Sequence, residues 1–262
     1  MVIERTSQHT FFGVSALLFT AGVALTGLWC ASMSGMGMPM PGGWTMSMTW
    51  MRMPGQTWIG AAASFLGMWV AMMVAMMLPS LVPMLRHYRD SVGGVAGERL
   101  GRLTALVGVG YFFVWAAIGL AAFPSGVALA AVEMRQAALA SAVPVAGGVV
   151  VLLAGALQFT AWKAHRLASC REKHGCGHTI SADAGTAWRH GLRLGLHCAC
   201  CCAGLTAVLL VMGVMDARAM ALVTAAMTAE RIAPRGERVA QAIGAVMVTA
   251  GLVLIARAAA IA

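Results

Sequence analysis

Long apolar runs, separated by short stretches rich in glycine, proline and charge, dominate this chain. A helix needs about 20 mostly apolar residues to cross the hydrocarbon core of a bilayer, and most of the runs reach that length. The pattern therefore predicts seven helices, which cover residues 10–29, 57–79, 103–123, 138–161, 190–213, 217–232 and 238–260. The sixth is short, and it either spans the bilayer or enters and leaves it on one side. The predicted fold class is all-α, a polytopic transmembrane helical bundle.

The composition supports this prediction. Of the 262 residues, 60% are apolar and only 10% are charged, and the mean hydropathy is +0.81. Such values are typical of an integral membrane protein and exclude an ordinary soluble domain. We therefore expect residues 1–262 to form a single integral membrane domain. Its first apolar run follows Arg5 and lacks a small-residue cleavage site, which favours a retained signal-anchor helix.

The positions of Lys and Arg predict how the chain is oriented. If the N-terminus is cytoplasmic, four of the 18 basic residues face the outside and the other 14 face the cytoplasm. The four are Arg52, Arg135, Arg218 and Arg257. This bias follows the positive-inside rule and predicts a multi-pass protein of the bacterial inner (cytoplasmic) membrane. Because topology explains the net charge of +9, we expect membrane lipid as a partner and no nucleic acid.

The fifth predicted helix carries the densest group of metal-ligand side chains. One imidazole and three thiols share one side of this helix: His197, Cys198, Cys201 and Cys202. Cys200 points away from them. Three thiols and an imidazole suit a soft or borderline ion such as Cu(I) or Zn(II). The alternative is that these cysteines only pack, because a buried free cysteine behaves as a small hydrophobe.

The second predicted helix offers thioethers at the same depth. Its methionines near the cytoplasmic end are Met72, Met73, Met76 and Met77. This helix runs from outside to inside and the fifth runs from inside to outside, so both groups lie in the cytoplasmic half of the bilayer. We therefore expect the thioether and thiol faces to meet at one metal site. Methionines that only fill a core at helical spacing are the alternative.

Two polar residues within apolar runs are candidates for supporting that site. Gln158 lies inside the fourth run, where it is expected to hydrogen-bond to a neighbouring helix or to a ligand side chain. Glu230 lies near the end of the sixth predicted helix beside Arg231. An interfacial ion pair between these two is the simplest interpretation, and a role behind the metal ligands is the alternative.

The predicted extracytoplasmic loop, residues 30–56, is rich in methionine. From Met33 to Met53 it reads MSGMGMPMPGGWTMSMTWMRM, with eight methionines in 21 residues. Thioethers at such spacings can surround Cu(I), which prefers soft ligands. The candidates for outer metal capture are Met33, Met36, Met38, Met40, Met46 and Met48. The alternative is an adaptable apolar surface that binds a partner.

The predicted cytoplasmic loop, residues 163–189, holds four further nitrogen and sulfur ligands. They lie within the string CREKHGCGH and are Cys170, His174, Cys176 and His178. Their spacing matches no standard zinc module. A loop that handles metal and a mobile polar loop both remain open as interpretations.

Several motifs together resemble a bacterial family of predicted metal-binding integral membrane proteins. They are MWVAMMVAMMLPS at 68–80, Gln158 with Trp162 and Lys163 followed by Cys170 and Arg171, the run Cys198 to Cys202, Gly213 to Met215, and Glu230 and Arg231 followed by Pro234. The resemblance covers most of residues 60–255. The cysteine run of that family usually reads Cys-x-Gly-Cys-Cys-Trp, whereas here Ala199 precedes Cys200 and Ala203 replaces the Trp. The resemblance implies metal binding in a membrane and supplies no substrate.

Thioether and thiolate ligands favour Cu(I) as the bound ion, with zinc less favoured. We expect a protein that captures Cu(I) on the outer loop and handles it at the intramembrane Met/Cys/His site. The purpose would be copper homeostasis or delivery to a cuproenzyme, with a periplasmic metallochaperone or cuproenzyme as partner. No glycine-rich phosphate loop is present, and we expect no enzyme activity. The alternatives are a membrane thiol or haem redox protein that uses Cys198 and Cys201, and a non-catalytic subunit of a larger membrane complex.

Overall fold

The structure, a computed structural model, describes residues 2–33, 36–92, 95, 97–172 and 181–261, without the side chains of 2–7, 169–172 and 261. In these residues the chain forms eight α-helices: α1 (Val2–Met33), α2 (Trp58–Ser91), α3 (Gly97–Arg135), α4 (Ala137–Leu157), α5 (Ala161–Glu172), α6 (Ala184–Met212), α7 (Ala217–Ile232) and α8 (Gly236–Ile261). Strands β1 (Met38–Met40) and β2 (Trp44–Met46) form an antiparallel hairpin between α1 and α2. A short 3-10 helix, Met48–Trp50, follows the hairpin.

The prediction of an all-α bundle is confirmed. Among the described residues, six helices are long and apolar enough to cross a membrane, namely α1, α2, α3, α4, α6 and α8. The short sixth predicted segment is α7, which has only 16 residues. The six long helices are compatible with a multi-pass membrane protein.

Several helix bounds differ from the prediction, since α1 and α3 are longer than expected. The loop expected over residues 163–189 is narrower, because α5 covers Ala161–Glu172 and α6 begins at Ala184. The second helix, expected to end at Pro79, continues to Ser91. Proline removes a backbone donor, yet the helix continues past Pro79 and Pro83, where Leu81 packs in the apolar core and the Tyr88 ring stacks on His190 of α6.

Glycines let α3 and α6 approach closely. A Cβ on Gly191 would collide with the Val107 carbonyl, and one on Gly195 would lie 2.8 Å from the backbone carbonyl oxygen of Tyr111. Because residues later in α3 contact residues later in α6, the two helices run parallel. Small residues at such contacts are typical of helix pairs in membranes. This contact brings Tyr111 to the side of Cys198.

The hairpin is fixed to one end of the bundle, called here the hairpin end. Trp44 Nε1 donates to the Ala140 carbonyl at 2.8 Å, which ties the hairpin to the start of α4. The ring of Trp50 lies 5.2 Å from that of Phe65 on α2. The methionine-rich segment, expected to be a loop, therefore has a defined structure because two tryptophans anchor it to the helices.

Candidate metal centre

The candidate site lies between α2, α3, α6 and α7, around Cys198 and Cys202. These two cysteines are one helical turn apart on α6, so their side chains lie on the same face. Both are buried, at 1% and 3% exposure. Cys198 Sγ lies 3.9 Å from Met77 Sδ of α2. The structure therefore brings one thiol of α6 and one thioether of α2 into contact.

Hydrogen-bond donors from two other helices converge on the same sulfurs. Arg231, near the end of α7, donates through Nη2 to Cys198 Sγ at 2.8 Å and to Cys202 Sγ at 3.2 Å. Its Nη1 donates to Ser80 Oγ at 3.1 Å. Tyr111 Oη donates to Cys198 Sγ at 2.8 Å. Both donors point at Cys198 Sγ, and a metal-binding thiolate is an anion that accepts hydrogen bonds of this kind.

The distance between the Cys198 and Met77 sulfurs is the distance expected for two ligands of one metal ion. A metal–thiolate bond is about 2.3 Å long, which puts the sulfurs of a trigonal site about 4.0 Å apart. The observed separation of 3.9 Å between Cys198 and Met77 is close to that value. Among the described residues, no three His, Cys, Asp or Glu side chains are placed to hold a metal. The thioether that contacts Cys198 is that of Met77, and thioethers prefer soft ions such as Cu(I).

The other predicted ligands lie around this core with different partners. His197 Nε2 is 3.2 Å from the Arg166 carbonyl, so this ring faces α5. Cys201 is buried, and its backbone carbonyl accepts a hydrogen bond from Lys163 Nζ at 2.7 Å. Met72, Met73 and Met76 are buried in the same apolar core as Met77 and Cys198. The structure thus brings Cys198 into contact with Met77, joins Cys198 and Cys202 through Arg231, and places Met72, Met73 and Met76 in the same core.

A buried polar network supports the site from the side of α4 and α5. Gln158 Nε2 donates to Glu230 Oε1 at 2.7 Å, and Lys163 Nζ forms an ion pair with Glu230 Oε2 at 2.8 Å. Lys163 and Glu230 are only 4% and 3% exposed. Through the Cys201 carbonyl, this network contacts the cysteine run itself. Gln158 and Glu230 contact each other, and Lys163 links Glu230 to the backbone of Cys201.

Sequence reasoning missed Lys163 and assigned Arg231 to the wrong partner. The predicted ion pair between Glu230 and Arg231 is wrong, because adjacent helical residues point in directions about 100° apart. Glu230 instead pairs with Lys163, and Arg231 contacts the thiols. A signal was available in the sequence: Arg231 lies four residues after Met227 of α7, which is buried and so marks the side of the helix that faces the core.

Cys200 is half-buried and lines a cavity of about 250 Å³ that also touches Cys201, Trp162 and Lys163. The walls of this cavity are largely apolar side chains. At 100° per residue, Cys200 is turned well away from Cys198 and Cys202 on α6.

At the hairpin end, the strands place methionines on one face. Met38 pairs with Met46, and Met40 pairs with Trp44. Residues opposite each other, and residues two apart along a strand, project from the same side of a hairpin. Met46 is buried, whereas Met38 is 37% exposed and Met36 is 39% exposed. Met33 and Met48 are half-buried.

The predicted loop ligands His174, Cys176 and His178 lie outside the described residues, as does the side chain of Cys170.

Comparison with known protein families places most of this chain in one of them. A family model described as PpoB2, copper chaperone, matches residues 66–254, which include the methionines of α2, the cysteine run and Arg231. The comparisons with curated proteins and with solved structures gave no match.

Proposed function

Because this chain belongs to the PpoB2 family of copper chaperones, we propose that it is an integral membrane protein that binds Cu(I) between Cys198, Cys202 and Met77. The observation that carries the proposal is the buried contact between the Cys198 and Met77 sulfurs, beside Arg231, which donates to both Cys198 and Cys202. Two thiolates and a thioether are soft ligands, which favour Cu(I). Structural zinc sites instead use four ligands drawn from Cys, His and carboxylates.

The proposed route of the metal begins at the hairpin. Met38, Met40 and Met46 would capture Cu(I), and buried methionines between α2 and α7 would lead it inward. Those methionines are Met68, Met72, Met73 and Met76 on α2 and Met220 and Met227 on α7. The two helices pack against each other, and these side chains belong to the same apolar core as the sulfur site. Thioethers suit transfer because a thioether has no proton to lose.

We place the protein in the bacterial inner membrane with a cytoplasmic N-terminus, so that the hairpin faces the periplasm. The distribution of Lys and Arg supports this orientation. The sulfur site then lies in the cytoplasmic half of the bilayer. A periplasmic metallochaperone or cuproenzyme would be the partner that gives copper to the hairpin or receives it there.

Replacing Met77 by Leu should weaken Cu(I) binding while leaving the protein folded. Leucine has a similar volume, so the core should tolerate it, but the thioether ligand is lost. We expect the Cu(I) affinity to fall at least about tenfold, since even outer partners of metal ligands are worth that much. Competition with a chromophoric Cu(I) chelator measures the affinity. The matched control is Met247→Leu, which changes a buried methionine on α8. If Met77→Leu binds Cu(I) as tightly as Met247→Leu does, Met77 is not a ligand.

The hairpin should govern the rate of loading and leave the inner site unchanged. The triple variant Met38→Leu, Met40→Leu, Met46→Leu should load Cu(I) from the hairpin side of proteoliposomes more slowly. We expect a decrease of about tenfold or more, because a tethered capture site raises the effective concentration of its cargo. The equilibrium affinity of the loaded protein should match wild type.

The control for this experiment is Met51→Leu, which changes a methionine outside the two strands. Its loading rate should equal that of wild type. A triple variant that loads at the wild-type rate would show that the hairpin methionines take no part in capture.

A thiol redox role is the second candidate function, and one observation favours it. A C-x-x-C inside an apolar helix normally lacks the electropositive setting that activates a thiol. Here Arg231 and Tyr111 both donate to Cys198, and Cys202 rather than Cys201 shares the guanidinium group. A redox protein should attack a small disulfide substrate with the Cys198 thiolate, forming a mixed disulfide and releasing the other half of the substrate as a thiol. It should then turn over thiol substrates catalytically. A copper protein should bind Cu(I) without such turnover.

A further inference from the structure

Arg231 carries the formal charge closest to the candidate copper site. The facing groups on α2 and α3 are Met77, Ser80 and Tyr111, which are neutral in their ordinary states. The next charges are Lys163 and Glu230, which neutralise each other at 2.8 Å. His197 on α6 is turned to the Arg166 carbonyl. Among the described side chains that contact Cys198 and Cys202, the Arg231 guanidinium is therefore the one cation.

This charge decides which ions leave the site neutral. Cysteine binds metal as the thiolate, so each thiol that still carries a proton releases it to solvent when the metal binds. Two thiolates and one guanidinium sum to a single negative charge. A monovalent ion brings the site to zero, whereas a divalent ion leaves one uncompensated positive charge. An uncompensated charge is strongly unfavourable in a buried, low-dielectric position.

We propose that Arg231 makes the site selective for soft monovalent cations, Cu(I) and Ag(I), over the divalent thiophiles Zn(II) and Cd(II). This inference rests on the proposed function, since it requires Cys198 and Cys202 to be ligands. Arg231 acts here as a specificity-determining residue through its charge. Its two contacts with sulfur also hold the thiolates in place, while its contact with Ser80 fixes the guanidinium group.

A purely structural role for Arg231 makes a different prediction. If the guanidinium only held α7 against α2 and α6, its loss would loosen the site and weaken the binding of every metal by a similar factor. The ratio of the Cu(I) affinity to the Zn(II) affinity would then stay constant. A charge-based role changes that ratio, because removing the cation relieves the cost of binding a divalent ion. The ratio therefore separates the two roles.

The test uses the full-length protein purified in detergent. Cu(I), Zn(II) and Cd(II) affinities are measured by chelator competition for wild type, Arg231→Gln, Arg231→Leu and Arg231→Lys. In the Gln and Leu variants we expect the Cu(I)-to-Zn(II) affinity ratio to fall at least about tenfold, because the charge balance of a buried site is reversed. Lys keeps the charge and should keep most of the selectivity. Arg235→Gln, which removes an exposed cation four residues further on, should behave as wild type.

Two results would overturn the proposal. One is an unchanged ratio in both the Gln and Leu variants while wild type binds Cu(I), and this would leave the proposed function standing. The other needs no variant: wild type that binds one Cd(II) through Cys198 and Cys202 as readily as it binds Ag(I). Failure of wild type to bind Cu(I) at all would instead remove the proposed function, and the role of Arg231 with it.

Discussion

Replacing Cys198 and Cys202 together by Ser should abolish stoichiometric Cu(I) binding. The structure gives these thiols a shared guanidinium donor and places Cys198 against the Met77 thioether, so the variant removes two of three proposed ligands. Metal–ligand bonds in structural sites together supply about 10–16 kcal/mol. We therefore expect an affinity loss of at least about a thousandfold, where each factor of ten is about 1.4 kcal/mol. Metal analysis of the purified protein and chelator competition measure the loss.

The matched control is Cys200→Ser, in the same run of α6. Cys200 lies on the cavity side of the helix and is half-buried, so its loss should leave the Cu(I) stoichiometry unchanged. Circular dichroism of all variants should show the same helical content, since serine is close to cysteine in size. If the double variant binds Cu(I) like wild type, the metal site lies elsewhere. If Cys200→Ser loses as much Cu(I) affinity as the double variant, the loss is a nonspecific effect of changing the cysteine run of α6.

Removing one partner of the buried Lys163–Glu230 ion pair should strongly destabilise the bundle. Glu230→Gln or Lys163→Met leaves the other charge buried at 3–4% exposure without its counter-ion. Breaking such a pair costs about 3–5 kcal/mol, because the remaining charge stays desolvated. The double variant Lys163→Met, Glu230→Gln should recover much of that loss, since no uncompensated charge remains.

Denaturant unfolding of the two single variants and the double variant in one detergent gives the coupling free energy. Glu98→Gln is the control, because the Glu98–Arg102 pair has a similar length of 2.9 Å but is 82% and 78% exposed. Exposed pairs contribute little, so this variant should unfold close to wild type. Single variants as stable as the control would mean that the Lys163–Glu230 pair is accessible to water.

The spanning helices and the shared face of Cys198 and Cys202 could be predicted from the sequence, because each follows from a simple pattern along the chain. Runs of about 20 apolar residues predicted the spanning helices, and 100° per residue put Cys198 and Cys202 on one face of α6. The alternating direction of successive helices then placed Met77 at the depth of Cys198. This last step needed no knowledge of contacts, since depth in a bilayer follows from distance to the helix ends.

Charged residues were the least predictable part of the site. Lys163 and Arg231 lie near the ends of apolar runs, where basic residues ordinarily face the membrane interface. Their burial depends on how α5 and α7 pack against α6. The sequence pattern predicted a loop where α5 lies, so this packing could not be predicted. His197 was assigned to the ligand face for the same reason, because the Arg166 carbonyl that it contacts belongs to α5.

The hairpin and the continuation of α2 depended on long-range contacts. A Met-Pro-Met strand has little intrinsic β-propensity, and β1 is placed through its pairing with β2, which Trp44 anchors to α4. Likewise, α2 continues past Pro79 because the residues beyond it are buried by other helices. Neither contact leaves a local signal in the sequence.

X-ray absorption at the copper K edge of the Cu(I)-loaded protein tests the central claim most directly. The account predicts a first coordination shell made of sulfur only, with about three atoms at roughly 2.3 Å. That shell should lose sulfur when Cys198 and Cys202 are replaced by Ser and stay intact in Cys200→Ser. A shell dominated by nitrogen or oxygen in wild type, or a sulfur shell that survives the double replacement, would contradict it.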